Sequence, residues 1–438
     1  MTWALIFGLI IGGLVLLMAT GLPIAFAFLT VTSLGVLILQ GGGAAFQQLI
    51  MSMTSSVSTF ALVPIPLFVF MGAVLWHSDI GRQAVNALDK MLGRLPGRLS
   101  LLTMASGSVF SALSGSTMAN TAMLGKLMMP QLLEKGYSRD LSMGPIMAAG
   151  GLAMMIPPST IAVILATLAK LSVAKVLIAA IVPGLMMAVG YVAYIIARAT
   201  LSPNAAPAAE VQQASGPDII RLLARDLLPL GLIVLAVTGL IVIGVATPTE
   251  AAALGALSAL LLCAIYRKLS FALLSASLHD TLTITVMTLA ILAGAQGFSQ
   301  ILAYSGATSG MLTWVLSVDL GMYSTVIIMM LIVLILGCFM DQIAIMLIAL
   351  PFFLPIVKSL GFDPIVFAIL LLINLETALM TPPLGLLLVV MKGAAPPDTS
   401  FGQIYRAVLP FIAVNIVVMA LLILFPELVS GLVQYVFS

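Results

Sequence analysis

Ser114-Gly115-Ser116-Thr117-Met118-Ala119-Asn120-Thr121, with Ile156-Pro157-Pro158-Ser159 after it, interrupts a chain that is otherwise almost continuously apolar. A second set, Gly337-Cys338-Phe339-Met340-Asp341-Gln342 followed by Thr381-Pro382-Pro383-Leu384-Gly385, looks like a second copy of the same device. Gly, Pro, Ser, Thr, Asn and Asp at bilayer depth break helices and leave backbone groups that lipid cannot satisfy. Such breaks persist only where they line a polar cavity. Paired breaks at matching positions of two halves point to the binding site of a secondary transporter.

Of the 438 residues, 62% are hydrophobic and 7% charged, with a mean hydropathy of +1.25. Soluble domains carry about 25% charged residues, so the chain reads as an all-α polytopic membrane protein. A net charge of +2 gives no footing for nucleic acid. Cys263 and Cys338 stand far apart in apolar stretches, which argues against a disulfide framework or a thiolate metal site. His77 and His279 fall at predicted helix ends without a nearby partner and read as interfacial. No clustered His/Asp, nucleophile–base pair or nucleotide-binding Gly-rich loop is visible, so the chain reads as no enzyme. The start, MTWALIFGLI, has no basic segment and reads as a first spanning helix, not a cleaved signal.

Landmarks recur at a fixed spacing. Pro23 and Pro248, Gly72 and Gly297, Gly81 and Gly306, and Pro157 and Pro382 are each 225 residues apart, whereas Asn120 with Asp341 and Pro130 with Pro351 give 221. A duplication with one four-residue deletion and one compensating insertion accommodates them all, with the stretch from Leu201 to Arg225 as the linker between halves. Residues 79–100 contain Arg82, Lys90, Arg94 and Arg98, whereas residues 304–325 contain no Lys or Arg. By the positive-inside rule the two copies are therefore inverted, with a re-entrant helical hairpin entering at each polar tip. The expected path starts outside and has spans near 3–20, 22–40, 55–77, 141–169, 176–198, 228–246, 250–266, 281–303, 364–392 and 407–436. It leaves 13 of the 17 Lys and Arg residues on the cytoplasmic side. Residues 80–98 alternate apolar and charged groups at helical spacing and read as an amphipathic interfacial helix.

The chemistry follows from the breaks. Ser114-Gly115-Ser116 offers hydroxyls and carbonyls at a hairpin tip, and Pro157 and Pro158 free carbonyls around Ala153 and Ile156. Gly337 and Thr381-Pro382-Pro383 supply the same set in the second half. Oxygens without a surplus of carboxylates suit Na⁺ better than a divalent ion, so two cation sites are expected around one central substrate site. Substrate contacts are expected from Ser116, Asn120, Asp341, Ser159 and Pro383. Among intramembrane acids, Asp341 fits either substrate contact or a helix cap, and Glu376 either the site or helix–helix hydrogen bonding. Glu250 reads as a helix cap. The 27 Met residues, dense at Met123, Met128, Met129, Met154 and Met155, read as adaptable packing.

Ser114-Gly-Ser through Gly125-Lys126, Pro130, Glu134-Lys-Gly-Tyr137, Ile156-Pro-Pro-Ser159, Ala246-Thr-Pro-Thr-Glu-Ala-Ala252 and Thr381-Pro-Pro-Leu-Gly385 together resemble the large membrane subunit of tripartite ATP-independent periplasmic (TRAP) transporters. The resemblance covers essentially the whole chain. It implies an elevator-type transporter of the bacterial inner membrane, driven by a Na⁺ gradient with two or more coupling ions. It also implies a small four-helix membrane subunit and a periplasmic binding protein that delivers an organic acid. One Na⁺ site would then involve Ser111, Ser114, Ala153, Ile156 and Pro158, and the other Gly337, Ala378, Thr381 and Leu384. The division implied is scaffold and arm helices in 1–98 and 226–321, transport-domain halves in 99–198 and 322–438, and a linker in 199–225. The alternative is a stand-alone Na⁺/dicarboxylate symporter of the related divalent-anion family.

Overall fold

The computed structural model describes residues 3–91, 95–114, 117–157, 159–207, 222–318 and 320–437, and every regular element among them is helical. The first half runs α1 (Trp3–Ala19), α2 (Ile24–Gln40), α3 (Gly43–Val57), α4 (Pro64–His77), α5 (Ile80–Met91), α6 (Arg98–Ser114), α7 (Thr117–Glu134), α8 (Arg139–Met155), α9 (Thr160–Leu168), α10 (Val173–Ala179) and α11 (Ile181–Leu201). The second runs α12 (Leu228–Val242), α13 (Pro248–Ile265), α14 (Phe271–Tyr304), α15 (Ala307–Val318), α16 (Met322–Leu336), α17 (Gln342–Ser359), α18 (Pro364–Met380), α19 (Leu386–Ala394), α20 (Phe401–Leu424) and α21 (Glu427–Phe437). Most of the sequence linker, 208–221, lies outside the described residues.

Helix bounds repeat at the spacing read from the landmarks. α7 and α17 are both 18 residues long and start 225 residues apart, at Thr117 and Gln342. α8 and α18 are both 17 residues long and start 225 apart, at Arg139 and Pro364. This register corrects the 221-residue pairings. Pro130 corresponds to Pro355, which lies within α17, and Asp341 to Ser116, so no four-residue adjustment is needed.

The halves differ where their prolines differ. The span expected at 55–77 is split into α3, a 3-10 turn at Phe60–Leu62, and α4, because Pro64 and Pro66 cannot extend a helix from upstream. Its counterpart has no proline between Phe271 and Tyr304 and forms one 34-residue helix, longer than the expected 281–303. The last span, expected at 407–436, likewise divides at Pro426 into α20 and α21. The amphipathic helix covers Ile80–Met91, shorter than the expected 80–98. Ile80, Ala84 and Ala87 are buried, while Lys90 is exposed. Arg98 then opens α6 and pairs with Asp89 at 2.6 Å.

Among the described residues, seven helices are long and apolar enough to cross a membrane, or eight if the bent pair α8 and α9 counts as one span. α17 is one of the seven, so by length and composition alone it could also cross. Two packing groups meet along α4. In one, α2 and α4 lie against α14, and α4 against α13. In the other, α6, α7 and α8 pack together, α8 lies against α18 and α20, α16 against α18, and α19 against α7.

Local chemistry sets the ends. Thr247 and Glu250 form a reciprocal capping box at the start of α13, with Thr247 N donating to Glu250 Oε2 at 2.8 Å. That is the cap expected for Glu250. α6 and α7 fold back on each other as a hairpin: the Asn120 amide donates to Gly107 O at 3.0 Å, and the Tyr137 hydroxyl accepts from Leu99 N at 3.3 Å.

Candidate functional site

Both helix breaks follow from covalent structure. Pro157 and Pro158 have no N–H, so the carbonyls of Ala153 and Met154, one turn earlier, have no helical donor; Pro382 and Pro383 do the same to Ala378 and Leu379. Ile156 and Thr381, each preceding a proline, leave the helix for extended backbone (φ −93°, ψ 116° and φ −82°, ψ 128°). α8 and α9 are bent by 52° across their break. In the second break the Ala378 carbonyl is met by Thr381 N at 3.1 Å. Thr381 Oγ1 donates to Thr377 O at 2.7 Å, which leaves its lone pairs free to accept. A Cβ at Gly385 would lie 2.3 Å from Leu379 O, so only glycine lets the chain turn back this tightly.

The second tip rests on the second break. A Cβ on Gly337 would lie 2.2 Å from that of Ala378, and Cys338 Sγ is 3.9 Å from the carbonyls of Thr381 and Pro382. Gly337, Ala378 and Thr381 are thus brought together, whereas Leu384 lies beyond the break with its residue 49% exposed. The three assembled residues present neutral carbonyl and hydroxyl oxygens, a donor set that fits Na⁺. Asp341 caps α17, accepting from Ala344 N at 2.7 Å, and Pro383 O accepts from the Tyr405 hydroxyl at 2.6 Å.

In the first half, Ser116 and Pro158 lie outside the described residues. Ser111 and Ser114 sit in the last turn of α6 with their side chains outside the description. Ala153 is buried, and Ile156 ends α8. Ser159 is buried and caps α9, accepting from Ala162 N at 3.3 Å. Asn120 is buried, and its Oδ1 has no hydrogen-bond partner among the described residues.

The residue that joins these parts is Glu376, fully buried one turn before the second break. Its Oε2 accepts from Gln342 Nε2 at 2.9 Å and from Thr117 Oγ1 at 3.4 Å. Thr117 and Gln342 are the first residues of α7 and α17, so one carboxylate touches the first turn of both helices. Gln342 Nε2 also lies 3.2 Å from Met154 Sδ, beside the first break. Gly150 and Gly151 of α8 make room: a Cβ on Gly150 would lie 1.8 Å from Thr117 Cγ2, and one on Gly151 2.8 Å from Glu376 Cγ. The sequence left Glu376 open between a place in the site and helix–helix hydrogen bonding. Gln342 and Thr117 were missed, and the signal that could have found them is their shared position directly after each polar tip.

Two cavities lie along α14, one beside the C-terminal end of α4 and the other beside the 3-10 turn that precedes α4. One, of about 430 Å³, is lined by Val69, Trp76, Asn120, Met123, His279 and Asp280. The other, of about 390 Å³, is lined by Ser55, Thr59, Thr167, Lys170 and Gln296 among others. His77, expected to lack a partner, donates from Nε2 to Asp280 Oδ2 at 2.8 Å, a contact between α4 and α14 that sequence distance concealed.

A family model for "Tripartite ATP-independent periplasmic transporter, DctM component" matches residues 11–428. The C4-dicarboxylate TRAP transporter large permease protein DctM of Pseudomonas aeruginosa is 31% identical over 84% of this chain and 84% of its own length. The isethionate TRAP transporter permease protein DctMQ of Oleidesulfovibrio alaskensis is 30% identical over 93% of this chain, which spans 63% of that longer protein. The crystal structure of the Alcanivorax borkumensis YdaH transporter has a similar fold, with a TM-score of 0.65 over 90% of this chain and 91% of that one at 13% identity.

Proposed function

This chain belongs to the DctM-component family of tripartite ATP-independent periplasmic transporters; from that premise we propose that it is the Na⁺-coupled carrier subunit for a small organic acid. In this reading a periplasmic binding protein delivers the substrate, and a small membrane subunit, of the kind whose fusion the name DctMQ suggests, completes the complex. Relatives named for C4-dicarboxylate and isethionate support a small organic anion as cargo.

The observation that carries the proposal is the meeting of Thr117, Gln342 and Glu376. The second arms of the two hairpins and the two broken helices converge on one buried point, as an inverted repeat with a central site requires. Cations bind at the two breaks, through Ser111, Ser114, Ala153, Ile156 and Pro158 in one and Gly337, Ala378, Thr381 and Leu384 in the other. Bound Na⁺ supplies the inward driving force and offsets the charge of an acid held between the tips by Ser116, Asn120, Asp341, Ser159 and Pro383. Residues 99–198 and 322–438 move as the carrier, in elevator fashion, against a scaffold of 1–98 and 226–321, joined through the linker 199–225. The two packing groups that meet along α4, with a cavity near each end of the seam, support this division.

Uptake into proteoliposomes reconstituted with the binding protein and the small subunit tests the proposal. Accumulation should follow an imposed inward Na⁺ gradient and cease in Na⁺-free, K⁺-balanced buffer. Undiminished uptake in that buffer would overturn the cation sites at both breaks.

A further inference from the structure

We propose that Glu376 is a positioning residue: a clasp that fixes the two hairpins in register with each other, so that both helix breaks take their working geometry together. The inference rests on the carrier reading and deepens it by naming the residue that ties its two halves.

The argument begins with cost. A carboxyl group fully removed from water is expensive to keep, and here, among the described residues, two donors reach it, Gln342 at 2.9 Å and Thr117 at 3.4 Å, both at Oε2, while Oε1 has no partner among them. Packing alone does not explain its presence, since an apolar side chain of similar volume fills such a space at lower cost. What a carboxylate offers and a hydrocarbon does not is a single acceptor shared by donors from two separate elements. Those donors occupy matching positions, the first residue of α7 and of α17, and each directly follows a polar tip. The clasp is also one-sided. The position in α8 that matches Glu376, 225 residues earlier, is Gly151, whose missing Cβ admits the Glu376 stem. A second carboxylate there would bring two acids into one dry space. Movement of either hairpin tip relative to the other must therefore stretch or break a hydrogen bond to Glu376, and Glu376 lies two residues before Ala378 on the same helix and five before Thr381, which caps its end.

The test uses the full chain in its complex, with Cys263 and Cys338 replaced by Ala. Spin labels are placed at the exposed positions Leu127→Cys on α7 and Lys358→Cys on α17. Glu376→Gln keeps an acceptor oxygen, so it should keep the parental distance distribution and its Na⁺ half-saturation. Glu376→Leu should shift or broaden the distribution and raise the Na⁺ half-saturation about tenfold, the scale of one lost hydrogen bond. Thr117→Val and Gln342→Leu each remove one donor, and each should give a partial shift if Glu376→Leu fails to fold. The clasp is overturned if Glu376→Leu, or both donor variants, leave the distribution unchanged, or if Glu376→Gln behaves as Glu376→Leu does. Should the parental protein transport without Na⁺, the carrier proposal fails on its own, and the distance distributions still decide the clasp.

Discussion

Gly151 and Glu376 occupy matching positions of two 17-residue helices, 225 residues apart, and a Cβ on Gly151 would lie 2.8 Å from Glu376 Cγ. An approach this close requires a small residue on one side, and Gly151 supplies it. Gly150, beside it, is tighter still: a Cβ there would lie 1.8 Å from Thr117 Cγ2. Gly150→Ala should therefore destabilise the protein by about 1–3 kcal/mol, as overpacking does. Adding Thr117→Ser removes the clashing methyl but keeps the hydroxyl on Glu376, and should recover part of the loss. Thermal unfolding of the three proteins in detergent measures both effects.

Thr381→Val is expected to weaken the response to Na⁺ while leaving the fold intact. The hydroxyl donates to Thr377 O at 2.7 Å, a bond within the last helical turn that valine forgoes at a cost of about 0.5–1.5 kcal/mol. In the proposed cation site its lone pairs would face the ion, so Na⁺ half-saturation for uptake should rise by about tenfold or more. Thr381→Ser should restore it. A wild-type Na⁺ response in Thr381→Val would remove this hydroxyl from the cation site.

These features differ in how visible they are along the chain. The two proline pairs act locally, because a missing N–H undoes the carbonyl one turn earlier wherever the helix lies, so both breaks could be read directly. The 225-residue spacing was equally plain, but pairing Asn120 with Asp341 by polarity misled by four residues; the fold aligns helix starts, and there Asp341 matches Ser116. Pro64 and Pro66 against an unbroken Phe271–Tyr304 mark where the copies diverge, a difference that a count of apolar residues does not register. The bonds of Glu376 lay out of reach. Gln342 is 34 residues away and Thr117 is 259 away, and only packing brings them to one carboxylate.

Arg139 and Asp398 predict a pH dependence. Arg139 opens α8 and reaches the loop before α20, donating to Asp398 and, at 2.9 Å, to Gln403 Oε1. The Arg139 hydrogen bond holds the Asp398 carboxyl below its ordinary range. A group depressed in the folded state stabilises above its unfolded value, about 3.9, and that contribution fades as pH falls through the lower folded value. Asp398→Asn should thus lower the melting temperature slightly at neutral pH, since the pair is exposed, and the gap to wild type should close in acid. A gap that persists unchanged at low pH would remove ionisation as its cause.

A buried polar chain beside the second break gives the last prediction. The Tyr191 hydroxyl donates to Asn415 Oδ1 at 2.5 Å, Asn415 Nδ2 to Thr377 Oγ1 at 3.0 Å, and the Thr377 hydroxyl to Ile373 O at 2.7 Å. Tyr191, Asn415 and Thr377 are fully buried, on α11, α20 and α18, so no water can replace a missing partner. Tyr191→Phe orphans the Asn415 oxygen, and Asn415→Leu orphans the Tyr191 hydroxyl and strips Thr377 of its donor. Each should cost about 1–3 kcal/mol. The double variant orphans neither the oxygen nor the phenol, so its loss should fall short of the two single losses combined. Unfolding curves of the four proteins measure the coupling; simple additivity would mean that these bonds do not act as one chain.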